Sequence, residues 1–109
     1  MTFVVVTIKE IKDIEAFREY AVKVAPMIQR YGGQYVAVDK TPDVRSGEWP
    51  FVRTVIVAYP NLAAARRWYD SPEYQQIIPI RQRAIDANIA IVRDPEEAGI
   101  DMDPRKSGA

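Results

Sequence analysis

A chain of 109 residues that is 48% hydrophobic and 28% charged has the composition of one globular domain with a core of its own. Its fifteen basic and fifteen acidic residues cancel, so no net field attracts nucleic acid or an anionic membrane surface. The absence of Cys and His excludes disulfides, thiolate nucleophiles, iron–sulfur clusters, cysteine-rich zinc sites and imidazole bases or ligands; no metal and no cofactor is expected.

The stretch Thr2 to Ile8 is apolar but too short to span a bilayer, and it has neither a basic start nor a cleavage site. It reads as a first strand over Phe3–Ile8, and a cytoplasmic protein is the expectation. Asp13 is a helix N-cap. Ile14, Phe17, Ala21, Val24, Ile28 and Tyr31 then recur at steps of three and four, the face of one helix. Pro26 falls within that pattern and predicts a kink or a tightened last turn. Gly32-Gly33 stops the helix, with a left-handed residue expected there.

Gln34 to Asp39 reads as a second strand and Lys40 to Pro50 as a loop. Phe51 to Tyr59 is the strongest strand signal. Pro60-Asn61 ends it, with Asn61 capping a short helix from Leu62 to about Asp70. Ser71-Pro72 breaks that helix and restarts it as cap and first-turn proline. The second piece places Tyr74, Ile77, Ile78, Arg81, Ala84 and Ile85 on one face, and Ile89 to Arg93 is a last strand. Residues 1–94 therefore form the domain, and 95–109 are expected as a polar, poorly ordered tail.

This order is the βαββαβ, ferredoxin-like pattern: an α+β fold with both helices on one face of a four-stranded antiparallel sheet. Side-chain alternation leaves neither sheet face clearly polar. Arg53, Val55, Val57 and Tyr59 oppose Val52, Thr54, Ile56 and Ala58; Phe3, Val5 and Thr7 oppose Val4, Val6 and Ile8. Two helices cover one face only, so the other would be a large exposed apolar patch. A homodimer through sheet-to-sheet packing is the expectation.

Gly32-Gly33 before a strand, Gly47-Glu48-Trp49-Pro50 with Arg53, and Tyr59-Pro60 together resemble the family known as domain of unknown function 1330 (DUF1330). The most specific stretch, Trp68-Tyr69-Asp70-Ser71-Pro72-Glu73-Tyr74 with Arg81, is similar to the same family, and the likeness covers residues 2 to 94. The resemblance implies a dimeric α/β barrel of ferredoxin-like subunits. The wider superfamily includes small-molecule monooxygenases and muconolactone isomerase-like proteins, but the family's own activity is not established and transfers no catalytic residue. Asp39 to Asp43 departs from the glycine-containing turn expected after the second strand, and the tail is longer than the family core needs.

Arg81 lies on a helix face otherwise assigned to the core, and Arg53 lies on a strand with apolar neighbours. Each needs a carboxylate such as Glu48, Asp70 or Glu73, an exit to solvent along its stem, or a bound anion. Tyr20, Tyr69 and Tyr74 either fill the core or aim hydroxyls into a cleft between helices and sheet. Trp49 and Trp68 serve as an apolar wall or as interface anchors. The functional reading is a small carbonyl- or carboxylate-bearing compound held in that cleft, with Tyr20, Trp49, Arg53, Trp68, Tyr69, Tyr74 and Arg81 as candidate ligand residues. The alternatives are a cofactor-independent monooxygenase- or isomerase-like enzyme and a purely structural or interaction module.

Overall fold

The computed structural model describes residues 1–106; residues 107–109, the end of the expected tail, lie outside the described residues. The element order is β1 (Thr2–Ile11), α1 (Ile14–Arg30), β2 (Gln34–Asp39), β3 (Arg53–Tyr59), α2 (Leu62–Asp70), α3 (Pro72–Ala84), β4 (Ile85–Arg93) and a short α4 (Pro95–Ala98). One antiparallel sheet in the order β2-β3-β1-β4 results, the ferredoxin-like arrangement.

Local chemistry starts and stops the helices as expected. Asp13 accepts from the Ala16 amide at 3.1 Å and Asn61 from the Ala64 amide at 2.9 Å. Gly32 adopts a φ of 85° after α1, where a side chain would be strained. The helix α1 runs through Pro26 without ending. Gly33 is needed for a different reason: a Cβ there would come within 2.7 Å of both Ile28 and the Tyr59 ring. The end of α1 therefore presses directly onto β3.

All three long helices lie on one face of the sheet. Val4, Val57 and Tyr59 from the strands pack against Val24 and Ile28 of α1, Trp68 of α2, and Tyr74 and Ile77 of α3. A second cluster of Ile8, Ala16, Ala84 and Ile85 closes the other end. The opposite sheet face carries Phe3, Val5 and Ile56, all partly exposed, with no helix over them.

Two expectations are corrected. The α/β barrel is not formed: the sheet is open, with β2 and β4 as its unpaired edges. Four strands are too few to curl round and pair their own edges, since an interior wide enough for side chains takes about eight. In addition, Ile85 is not on the last helix face. It is the first residue of β4, which begins four residues before the expected Ile89 because β1 continues to Ile11 and pairs Ile11 with Ile85.

Beyond β4, α4 is tied to the start of the chain and to α2. Thr2 Oγ1 donates to Glu97 at 2.7 Å, and the Leu62 amide donates to the same carboxylate at 2.8 Å. Glu97 thus satisfies a free N–H at the start of α2.

Candidate functional site

The Ser71-Pro72 break determines where the aromatics point. Ser71 Oγ accepts from the Tyr74 amide at 3.2 Å and donates to the Trp68 carbonyl at 2.8 Å, so one residue ends α2 and caps α3. Trp68 projects from the last turn of α2 and Tyr74 from the first turn of α3. Their rings meet at 4.4 Å, with Tyr59 stacked on Trp68 at 5.8 Å and Tyr69 against Tyr74 at 5.1 Å. Such pairs each add about 0.5–1.5 kcal/mol beyond the area they bury.

A polar chain crosses this cluster. Arg81 Nη1 donates to Tyr74 Oη at 2.8 Å and lies 3.5 Å from Tyr69 Oη. Tyr74 Oη is 2.8 Å from Tyr20 Oη on α1. Tyr74 is fully buried. Burial pushes the Tyr20 phenol far above its ordinary value, and the neighbouring Tyr74 adds to the effect. Burial also raises Tyr74, against the opposing hydrogen bond from Tyr20 and the charge of Arg81. These phenols therefore stay protonated well past neutral pH.

Between α1 and the sheet is a cavity of about 160 Å³. Val4, Val24, Val55 and Val57 contribute apolar wall; the polar side chains on it are Tyr20, Tyr35, Arg53, Trp68 and Arg81. Arg53 lays its guanidinium over the Phe17 ring at 5.1 Å, and its buried Nε has no hydrogen-bond partner among the described residues. The same is true of Trp68 Nε1 and Tyr59 Oη. A buried donor without a partner costs about 1–3 kcal/mol.

Neither Arg53 nor Arg81 belongs to an ion pair among the described residues. Glu73, a possible partner for either, is taken by Arg30 at 2.7 Å and by the Tyr31 hydroxyl at 3.2 Å. Of the seven candidate ligand residues, Tyr20, Arg53, Trp68 and Arg81 line the cavity, while Tyr69 and Tyr74 stand behind Arg81. Trp49 is elsewhere: it is half-exposed, its Nε1 donates to Thr54 at 3.1 Å, and its ring meets Phe51. Tyr35 and Phe17 were not singled out from the sequence, although Phe17 fell on the buried stripe of α1. Among the described residues no group of three Asp or Glu side chains is placed to hold a metal ion, and no helix is long and apolar enough to cross a membrane.

With that geometry in place, the chain can be compared with known proteins. The model of a family described as "Domain of unknown function (DUF1330)" matches residues 1–95. No curated protein matches the chain. A crystal structure of a protein of unknown function from Rhodopseudomonas palustris superposes with a TM-score of 0.70 at 19% identity, over 85% of this chain and 82% of that one. An uncharacterized NIPSNAP domain protein from Burkholderia xenovorans gives 0.57 at 19% identity, over 86% and 94%. SnoaB, a cofactor-independent oxygenase from Streptomyces nogalater, gives 0.56 at 16% identity, over 85% and 90%. At such identities the likeness is one of fold.

Proposed function

The chain belongs to the DUF1330 family, and from its donor-lined cavity we propose a cofactor-independent enzyme, of the oxygenase or isomerase kind, acting on a small carbonyl- or carboxylate-bearing compound. One observation carries the reading: two guanidinium groups face an apolar cavity and neither has a carboxylate partner among the described residues. An anion formed or bound there would offset the desolvation of both. The fold shared with a cofactor-independent oxygenase favours turnover over binding alone.

The chemistry follows from the wall. Among the described residues no carboxylate lines the cavity, and the sequence has no His, so the wall offers no ordinary base at neutral pH. Water must then accept the proton, so the substrate has to be a strong carbon acid, such as a C–H flanked by two carbonyls. Arg53, Arg81 and the phenol of Tyr20 stabilise the developing enolate oxygen, which is electrostatic catalysis by fixed donors. The enolate either regains a proton from that water at another carbon, which is isomerisation, or adds dioxygen at carbon. In the second case a C–O bond forms, dioxygen takes the enolate's electron pair, and the peroxide anion takes the proton back from water to give a hydroperoxide. Apolar walls lower the local dielectric and strengthen each of these contacts.

The proposal includes a homodimer. Phe3, Val5 and Ile56 on the helix-free face match a second copy of the same face, packed sheet to sheet at about 10 Å.

Thermal-shift screening of small keto acids, followed by oxygen uptake and product analysis on any that bind, tests the reading. Stabilisation by such acids that is lost in Arg81→Met, with turnover in the wild type, is expected. Binding without turnover of any carbon acid would reduce the protein to a binder. No binding at all would leave a structural module.

A further inference from the structure

The two cavity arginines are held in different ways, and the difference lies in which edge of each guanidinium is left over. Arg81 follows Tyr74 by two turns of α3, on the same helix face. Its Nη1 is committed to two phenols: Tyr74 Oη accepts from it at 2.8 Å, and Tyr69 Oη, at the end of α2, lies 3.5 Å away. The Arg81 Cζ is 5.9 Å from the Tyr69 ring and 6.0 Å from the Tyr74 ring, the outer limit of a cation–π contact. Arg81 Nε and Nη2 make no hydrogen bond among the described residues, and neither is a sealed atom.

Arg53 is the converse. Its Nε is buried without an acceptor, so an edge that includes Nε is closed, and its guanidinium lies over the Phe17 ring at 5.1 Å. Only the terminal nitrogens of Arg53 remain. Arg81 keeps the edge on which the Nε–H and one Nη2–H run parallel. That edge matches two coplanar oxygens sharing one negative charge, which the point charge of a lysine ammonium does not.

The acceptors that hold Nη1 matter as much as the free edge. A carboxylate in their place would fix Arg81 equally well but cancel its charge. Glu73, one residue before Tyr74, is drawn off by Arg30 at 2.7 Å and by the Tyr31 hydroxyl at 3.2 Å. Phenol oxygens fix the guanidinium and leave its charge to a ligand. Tyr74 is fully buried and its amide donates to Ser71 Oγ at 3.2 Å, so the main acceptor is itself held in place. Resting on the proposed anion site in the same cavity, the geometry points to Arg81 as its anchor, binding a planar two-oxygen monoanion through Nε and Nη2, with Tyr74 and Tyr69 as positioning residues. A carboxylate and the enolate of a 1,3-dicarbonyl both present that pair of oxygens.

Isothermal titration with benzoate and 4-cyanophenolate at pH 9 tests this, since both are single-ring monoanions and only benzoate carries two oxygens. Arg81→Lys, which keeps the charge, should weaken benzoate about tenfold, the value of one charge-assisted hydrogen bond. The same variant should leave 4-cyanophenolate within about twofold of the wild type. Tyr74→Phe and Tyr69→Phe, checked for folding by circular dichroism, should each weaken benzoate, Tyr74→Phe the more. Both effects should largely vanish when Arg81 is already lysine, a coupling that lost packing alone would not produce. In heteronuclear magnetic resonance spectra of the wild type, benzoate should move the Arg81 Nε–H signal far more than that of Arg53. At pH 7 benzoylacetone should release a proton to the buffer as it binds and benzoate should not, which separates the two sources of the anion. Equal losses of both probes in Arg81→Lys, an undiminished Tyr74→Phe effect in that variant, or a shift confined to Arg53 overturns the anchor and leaves the proposed function standing. Failure of every anion to bind the wild type removes both. The expected pattern with no turnover of any 1,3-dicarbonyl removes the enzyme and keeps the anchor.

Discussion

Tyr74 shows how much of the site rests on a single side chain. It is fully buried, contacts three other aromatic rings, and shares hydrogen bonds with Tyr20 and Arg81. Losing its hydroxyl would strip Arg81 of its shortest partner and cut the relay to Tyr20. The same phenols set a pH limit. Burial raises Tyr20 and Tyr74 above the ordinary phenol value, so the folded state holds protons that the unfolded chain releases. That contribution to stability is complete below about pH 10 and is lost as pH rises from there toward the raised values. Urea midpoints measured from pH 8 to 11.5 should therefore fall above pH 10, and Tyr20→Phe/Tyr74→Phe should fall less steeply. An identical slope in the double variant would show that other groups set the alkaline limit. Arg81 could be placed on an apolar helix face from spacing alone. That Glu73 is bound by Arg30 rather than Arg81 could not, because α1 and α3 meet only in the folded chain.

At the scale of elements, the break between α2 and α3 is the device that aims the aromatics. Ser71 and Pro72 together supply a stop, a cap and a fixed first-turn φ. Ser71→Ala should cost about 1 kcal/mol, the usual value of an N-cap, read from urea denaturation. Because Ser71 Oγ also bonds the Trp68 carbonyl, the Trp68 fluorescence maximum should shift in the folded variant. Ser71→Asp, which retains a capping oxygen, should recover most of the stability. Caps of this kind were legible in the sequence because they are contacts between residues three apart. The start of β4 was not. Asp86-Ala87-Asn88 has no apolar signal of its own and becomes strand only by pairing with the extended β1.

For the whole molecule, the distribution of apolar side chains between the two sheet faces decides assembly. One face is covered by helices and forms the core and the cavity; the other shows Phe3, Val5 and Ile56 to solvent. Sedimentation equilibrium should find a dimer for the wild type at tens of micromolar, a concentration chosen on the order of ordinary dimer affinities. Val5→Lys, in the centre of that face, should be monomeric with its far-ultraviolet circular dichroism unchanged. A monomeric wild type would sink the sheet-to-sheet contact.

The sequence by itself determined the types and order of the elements from β1 to β4 and the caps of α1, α2 and α3, because hydrophobic period and capping depend on residues a few positions apart. It also marked Arg53, Arg81 and Tyr20 as polar groups on apolar faces, and so as residues in need of partners, and Trp68 as an apolar wall or interface anchor. Only the tertiary structure decided whether those partners exist. It left the sheet open, placed four of the seven candidates on one cavity, and kept Trp49 on the other side of β3. Which donors end without an acceptor depends on distances between β3, α1 and α2, and those are set by packing across the core, not by spacing along the chain.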